Sequence, residues 1–244
     1  MDRGEELAQR LVEARRAGRR IELDPALAPA DEDAAMAVQA AVVRRLGERV
    51  GGWKVTIANG SPIAAPLFAS LVGENGTSRP FHEALAGLEV EVAVRLSRDV
   101  APGAGRDAVL SAVDQVLVGI EIVESRWRDR TGVPFPANLA DNLANGYYVA
   151  GARRGPEALG ALAALHCRLT LDDEVLFDGP AAHGNGDPLA PLLAYAAAPY
   201  DRLGGFAAGQ IVTTGTLCGL VPVSRPGRVR AALSGLGEAS LELS

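Results

Sequence analysis

Glu89 and Glu91 stand two residues apart in Leu88-Glu89-Val90-Glu91-Val92-Ala93-Val94, a run whose branched apolar residues otherwise read as a buried strand. Successive strand side chains point to opposite faces, so this spacing puts both carboxylates on one face. Like charges on a half-buried face repel each other and lose hydration, and a cation between them resolves both costs. A third acid in similar surroundings, Glu121 in Val118-Gly119-Ile120-Glu121-Ile122-Val123, completes an oxygen set suited to a hard divalent ion. The competing reading is an amphipathic strand of an antiparallel sheet that turns Glu89 and Glu91 to water. Local sequence leaves both readings open.

Lys54, in Gly51-Gly52-Trp53-Lys54-Val55, also has two readings. It is either a solvated lysine on an edge strand, or a general acid/base whose pKa falls through burial or a nearby metal. Asp141-Asn142, followed by Leu143, Ala144, Asn145 and Gly146, and Thr213-Thr214-Gly215-Thr216 are polar clusters beside expected strands. Such residues are ordinary turn formers, and they are also the hydroxyls, amides and backbone N–H groups that grip a substrate carboxylate. His166 and Cys167 are adjacent and would face opposite ways on a strand, and no GxSxG elbow is present. A serine or cysteine triad is therefore not expected, although His183 in its glycine loop could approach a site. Cys167 and Cys218 have no CxxC spacing and read as small core residues.

These groups need elements to position them. Glu5–Arg19 has apolar residues at Leu7, Leu11, Val12 and Ala14 and ends in cations, as an amphipathic helix should. A second helix is expected from Asp31 to about Arg49, stopped by Gly51-Gly52. Residues 1–52 thus form an N-terminal helical region, and residues 53–244 a β-rich catalytic core continuous with it. Expected strands are Trp53–Thr56, Leu88–Leu96, Gln115–Val123, Leu165–Leu171, Glu174–Phe177, Gln210–Thr214, Leu220–Val223, Arg228–Leu233 and Ala239–Leu243. Helices interrupt them at about Ala104–Val113 and at Asp187–Ala197, with Asp187 as N-cap and Pro188 at N1. Asp172-Asp173 and Gly235-Leu236-Gly237 mark hairpin turns. The class is α+β, with many strands folded over one core.

A chain of 244 residues with 48% hydrophobic and 22% charged residues is an ordinary globular protein with room for a large core. Its net charge of −6 carries no electrostatic footprint for nucleic acid. The start Met1-Asp2-Arg3-Gly4-Glu5-Glu6 is too polar for a signal peptide, and no apolar run is long enough to span a bilayer. No membrane partner and a cytoplasmic location are expected by default.

Taken in order, the segments resemble the 2-keto-4-pentenoate hydratase branch of the fumarylacetoacetate hydrolase superfamily, which also holds 4-oxalocrotonate decarboxylases. The likeness rests on Ala35-Met36-Ala37-Val38-Gln39, Gly52-Trp53-Lys54-Val55, Glu89-x-Glu91, Glu121-Ile122-Val123-Glu124-Ser125-Arg126, Ala140-Asp141-Asn142, Gly215-Thr216-Leu217 and Val221-Pro222-Val223. It implies a mixed β-roll with an N-terminal helical region, Mg2+ or Mn2+ held by Glu89, Glu91 and Glu121, and Lys54 as the catalytic residue. Ser70, Asp141, Asn142, Ala144, Asn145, Thr216 and Leu217 fall at its substrate-binding positions. The implied reaction adds water to a 2-hydroxy-2,4-dienoate, giving a 4-hydroxy-2-keto acid through an enolate whose 2-oxygen the ion holds. Decarboxylation, tautomerisation or C–C cleavage of a related 2-keto acid is the alternative, and a non-catalytic partner subunit a second one. A homo-oligomer is implied, with association with a related decarboxylase or hydratase open to it. Two positions depart from the family pattern: Ser70 follows Leu67-Phe68-Ala69 where aspartate is usual, and Ala144 stands where a serine is usual.

Overall fold

The computed structural model describes residues 2–82, 84–198 and 203–244. Two helices that pack on each other open the chain, α1 (Arg3–Arg16) and α2 (Glu32–Leu46). Leu7, Leu11 and Val12 of α1 pack on Val38, Ala41 and Val42 of α2, and this cluster continues into Ile63, Phe68 and Trp127. Asp31 caps α2 by accepting a hydrogen bond from the Ala34 N–H at 2.8 Å, as expected. The helix ends earlier than expected, at Gly47, whose φ of 70° is left-handed. Gly51-Gly52 belong instead to the first strand, β1 (Val50–Ala58). A Cβ on Gly52 would lie 2.2 Å from the Ile211 carbonyl oxygen, so that glycine serves a close strand approach.

The chain continues through β2 (Ser61–Phe68), β3 (Val72–Glu74), β4 (Thr77–Arg79), β5 (Leu85–Leu96), the short helix α3 (Arg106–Leu110) and β6 (Val113–Glu124). Then come α4 (Phe135–Ala140), β7 (Asn145–Arg154), β8 (His166–Leu171), β9 (Glu174–Pro180), α5 (Ala190–Ala197), β10 (Ile211–Thr216), β11 (Gly227–Leu233) and β12 (Gly237–Leu243). They form a seven-stranded mixed sheet, β2-β1-β10-β5-β6-β7-β3, and a five-stranded one, β4-β12-β11-β8-β9. Parallel β1–β10 and β3–β7 pairs sit among antiparallel neighbours in the larger sheet. The architecture is the expected mixed roll of curled sheets with helices at its N-terminal end.

The core lies between the sheets. Leu88, Val90, Val92, Val94 and Leu96 of β5 and Val116, Val118, Ile120 and Ile122 of β6 meet Leu169, Val229, Ala231 and Leu241 from the second sheet. This period-2 set is what the sequence shows most plainly. The opposite face of the larger sheet carries a smaller buried cluster, Leu67, Ala93, Leu117, Tyr148, Ala150 and Ile211.

Several expectations needed correction. Leu220–Val223 forms one bridge and no strand: Val221 exchanges both backbone hydrogen bonds with Leu88, and the pairing goes no further. The helix expected over Ala104–Val113 shrinks to α3, since Val113 onward joins the sheet. Helix α5 starts at Ala190, and Asp187 instead closes the preceding turn on the Leu189 N–H. Both hairpin turns are where expected, at Asp172-Asp173 between β8 and β9 and at Ser234–Leu236 between β11 and β12. Strands β2, β3, β4 and β7 were not foreseen; prolines in β2 and the polar start of β7 hide them.

Candidate metal centre

Strand register builds the site. In the antiparallel pairing of β5 with β6, Glu89 stands directly opposite Glu121, and Glu91 opposite Gly119. In the parallel pairing of β1 with β10, Lys54 stands beside Thr213. A register shift between Thr213 and Thr216 then brings the β10 hydroxyls against β5, where Thr213 Oγ1 donates to Glu91 Oε2. Residues separated by 35 to 122 positions thus meet on one patch of the sheet.

One ligand oxygen from each of Glu89, Glu91 and Glu121 lies within 4.8 Å of the other two. Glu91 and Glu121 are fully buried and Glu89 is half-buried, so the face they share is not a solvated one. Lys54 Nζ lies 2.6 Å from Glu121 Oε2 and 3.2 Å from Glu89 Oε2. The first contact is a close ion pair outside hydrogen-bond alignment; the second is a hydrogen bond. Asn145 Nδ2 donates to Glu121 Oε1 at 3.1 Å. Glu91 Oε1 is buried and has no hydrogen-bond partner.

Three carboxylates and one ammonium leave an excess of negative charge in a dry place. Burial first, and then Glu121, push the Glu91 carboxyl well above its ordinary range. Burial raises Glu121 as well, with Lys54 pulling the other way. For Lys54 burial acts downward, but Glu121, Glu89 and Glu91 together hold its ammonium above the ordinary lysine value. This reverses the fall in lysine pKa expected from burial. The all-oxygen donor set, its excess charge and the orphaned Glu91 Oε1 fit a hard divalent cation, so the triad can hold such an ion.

The other expected site residues are placed around this centre in different ways. Asn145 faces the triad. Asp141 is buried and fully engaged: it accepts from Ser125 Oγ at 3.2 Å and the Arg126 N–H at 2.8 Å, and pairs with the Arg126 guanidinium. Asn142, Leu143 and Ala144 follow with φ of 54°, 51° and 58°, three left-handed residues in a row. Each costs on the order of 1–2 kcal/mol, so tertiary contacts must hold the segment; Asn142 Nδ2 donates to the Pro66 carbonyl at 3.2 Å. Ser70 lies on the wall of a separate cavity beside α1, with its hydroxyl on Glu48 Oε1 at 2.6 Å. Thr216 is opposite Glu91 in the register but donates to the Gly219 carbonyl at 3.0 Å. Leu217 is buried, and its N–H donates to the Val90 carbonyl.

Three participants had no assigned role. Thr213 was visible only as part of a threonine cluster. Arg126 was visible as a cation after β6, and its Nη1 also donates to the Asn145 carbonyl at 3.1 Å. Tyr148 stands opposite Glu121 in the β6–β7 register, its phenol pushed up by burial and then by Glu91; a tyrosine pair at the start of a strand gives no signal of such a place. His183 bonds the Thr214 carbonyl through Nε2 at 2.8 Å and accepts the Asn185 N–H at Nδ1, so it braces β10 from behind.

Residues 50–242 match the model of the fumarylacetoacetate (FAA) hydrolase C-terminal family. A 2-keto-4-pentenoate hydratase of Burkholderia vietnamiensis is 32% identical over 95% of this chain and 94% of its own. A 4-oxalocrotonate decarboxylase of a Pseudomonas species is 27% identical over 96% and 95%. Among solved structures, the 4-oxalocrotonate decarboxylase from Pseudomonas putida G7, complexed with magnesium and adipate, superposes with a TM-score of 0.87. That match covers 99% of this chain and 97% of the other at 22% identity, and it shows the shared fold.

Proposed function

The chain belongs to the fumarylacetoacetate hydrolase family and is an enzyme of that family, and from this premise we propose that it hydrates a 2-hydroxy-2,4-dienoate to a 4-hydroxy-2-keto acid. The observation that carries the reading is the Glu89, Glu91, Glu121 triad with Lys54 Nζ 2.6 Å from Glu121. Support for hydration over decarboxylation comes from the relatives named as hydratases, which are 30–33% identical, against 27% for those named as decarboxylases.

Magnesium or manganese bound by the triad would supply a Lewis acid for the carboxylate and 2-oxygen of the substrate. The chain's own residues do the rest. Lys54, held as an ammonium beside the triad, delivers a proton to the far end of the diene while the 2-hydroxyl gives one up, so the dienol becomes a conjugated enone. Water then adds at C4, its oxygen forming the new C–O bond and a proton arriving at C3. Asn145 and Thr213 keep Glu121 and Glu91 in fixed orientations through these steps. The left-handed Asn142–Ala144 segment contributes backbone groups where other sequences have a serine side chain. The working form would be a cytoplasmic homo-oligomer.

Incubation with 2-hydroxypenta-2,4-dienoate and Mg2+ should give 4-hydroxy-2-ketopentanoate, and EDTA should stop it. Release of carbon dioxide from a 4-oxalocrotonate-type diacid, with the dienol untouched, would assign the decarboxylase reading instead. Consumption of neither compound with Mg2+ or Mn2+ would sink both and leave a non-catalytic partner role.

A further inference from the structure

We infer that Cys218 and Cys167 form a reversible disulfide, with Cys218 as the thiol that a hydroperoxide oxidises and Cys167 as the one that resolves it. The inference goes beyond the proposed hydration and does not depend on it. The chain has two cysteines, and nothing in their spacing brings them together. The tertiary structure does.

Cys167 lies on β8, fully buried, between Leu233 of β11 and Gly179 of β9 in the register. Cys218 follows β10 and is only partly buried. Just past the end of β9, the Ala182 N–H donates to the Leu217 carbonyl at 2.9 Å, so the residue beside Cys218 is tied to the chain that flanks Cys167. Cys218 packs on the same core cluster that contains Cys167. The two side chains meet sulfur to sulfur, the Cys167 thiol donating a hydrogen bond to Cys218.

The thiols are unequal, as a reactive and a resolving cysteine must be. The bond to Cys218, followed by burial, pushes the Cys167 thiol up. The same bond, aided by the Val90 N–H and the Thr216 hydroxyl, draws Cys218 down to about 7 against burial and the Glu89 charge. Cys218 is also the less buried of the two. Its thiolate attacks one oxygen of hydrogen peroxide, the O–O bond breaks, and hydroxide leaves to take up a proton as water, giving a sulfenic acid. The Cys167 sulfur then displaces that hydroxyl, its own proton departing with it as a second water, and the S–S bond forms. Two thiols are oxidised and one peroxide is reduced to two waters.

The bond has a consequence for β5. The Leu217 N–H donates to the Val90 carbonyl at 2.8 Å and the Val90 N–H donates to the Cys218 sulfur, so this turn grips the residue between Glu89 and Glu91. Covalent bonding draws the two sulfurs inside contact distance, and so pulls Cys218 toward β8 and away from that N–H.

The full chain, reduced and then treated with hydrogen peroxide, is expected to lose both free thiols on titration after unfolding. Digestion without reductant should yield a peptide joining Cys167 to Cys218, and dithiothreitol should restore both thiols. Cys167→Ala should leave Cys218 as a sulfenic acid that dimedone captures, and Cys218→Ala should leave Cys167 a thiol. Amide exchange over residues 88–91 should be severalfold faster in the oxidised chain. Persistence of both thiols in the wild type, oxidation of Cys218 without a bond to Cys167, or a bond between separate chains would overturn the inference. If the variants fail to fold, the wild-type peptide map decides alone. A disulfide within the chain that leaves exchange over 88–91 unchanged would overturn its pull on β5.

Discussion

Asn145 Nδ2 donates to Glu121 Oε1 at 3.1 Å, while the carbonyl of the same residue receives Arg15 and Arg126. One residue therefore orients a carboxylate of the triad with its side chain and anchors two cations with its backbone. Asn145→Ala keeps the backbone contacts and removes the orienting amide. Its affinity for Mg2+ or Mn2+ should fall about 10–100-fold, as losses of groups that orient ligands do. Calorimetry showing wild-type affinity would refute the orienting role.

Lys54 lies within 3.2 Å of two of the three glutamates and competes with a cation for them. Lys54→Met should therefore bind Mg2+ at least as tightly as wild type while losing about 10²–10⁴-fold in turnover. Equilibrium metal titration beside steady-state kinetics separates the two effects. A variant that turns over normally removes Lys54 from the proton transfer.

Burial and the neighbouring Glu121 charge raise the Glu91 carboxyl well above 4.5. The folded chain then holds this proton more tightly than the unfolded chain. Stability from the group is complete below about pH 4.5 and is lost as pH rises through the folded value. A divalent ion needs the carboxylate ionised, so it binds with proton release and offsets that loss. Melting curves in EDTA and in Mg2+ should diverge as pH rises from about 5 to about 8. A constant gap across that range would contradict the linkage.

Asp141 and Arg126 form a buried ion pair, supported by Ser125 and the Arg126 N–H. Asp141→Ala strands the guanidinium and should cost about 3–5 kcal/mol in urea denaturation. Replacing both partners, Asp141→Ala with Arg126→Met, should recover part of that cost. If the double variant is the less stable one, the pair is not the reason.

A Cβ built on Gly119 would lie 1.8 Å from the Tyr148 hydroxyl, so Gly119→Ala overfills the space beside Glu91 and Glu121. A loss of about 1–3 kcal/mol is expected, with partial rescue when Tyr148→Leu is added. Additive losses in the thermal melts would show that the tyrosine is not the obstacle.

The period-2 patterns of β5 and β6 are legible without any structure, and they place Glu89, Glu91 and Glu121 on faces opposite Val90, Val92, Ile120 and Ile122. The order of the site segments along the chain, matched to a known family, made the metal reading specific. Local patterns set which way each side chain points because alternation is a property of the backbone itself. They do not say what covers a face. Whether the glutamates met water or protein was decided by neighbours from other strands: Tyr148 opposite Glu121 in the register, Thr213 on Glu91 and Lys54 between Glu89 and Glu121. The same holds for Lys54, whose partner strand β10 lies some 160 residues away along the chain, and for Asp141, whose carboxylate turns to Arg126. Register between distant strands depends on packing summed over whole sheets, and so the tertiary structure alone turned three spaced acids into a buried, charged centre.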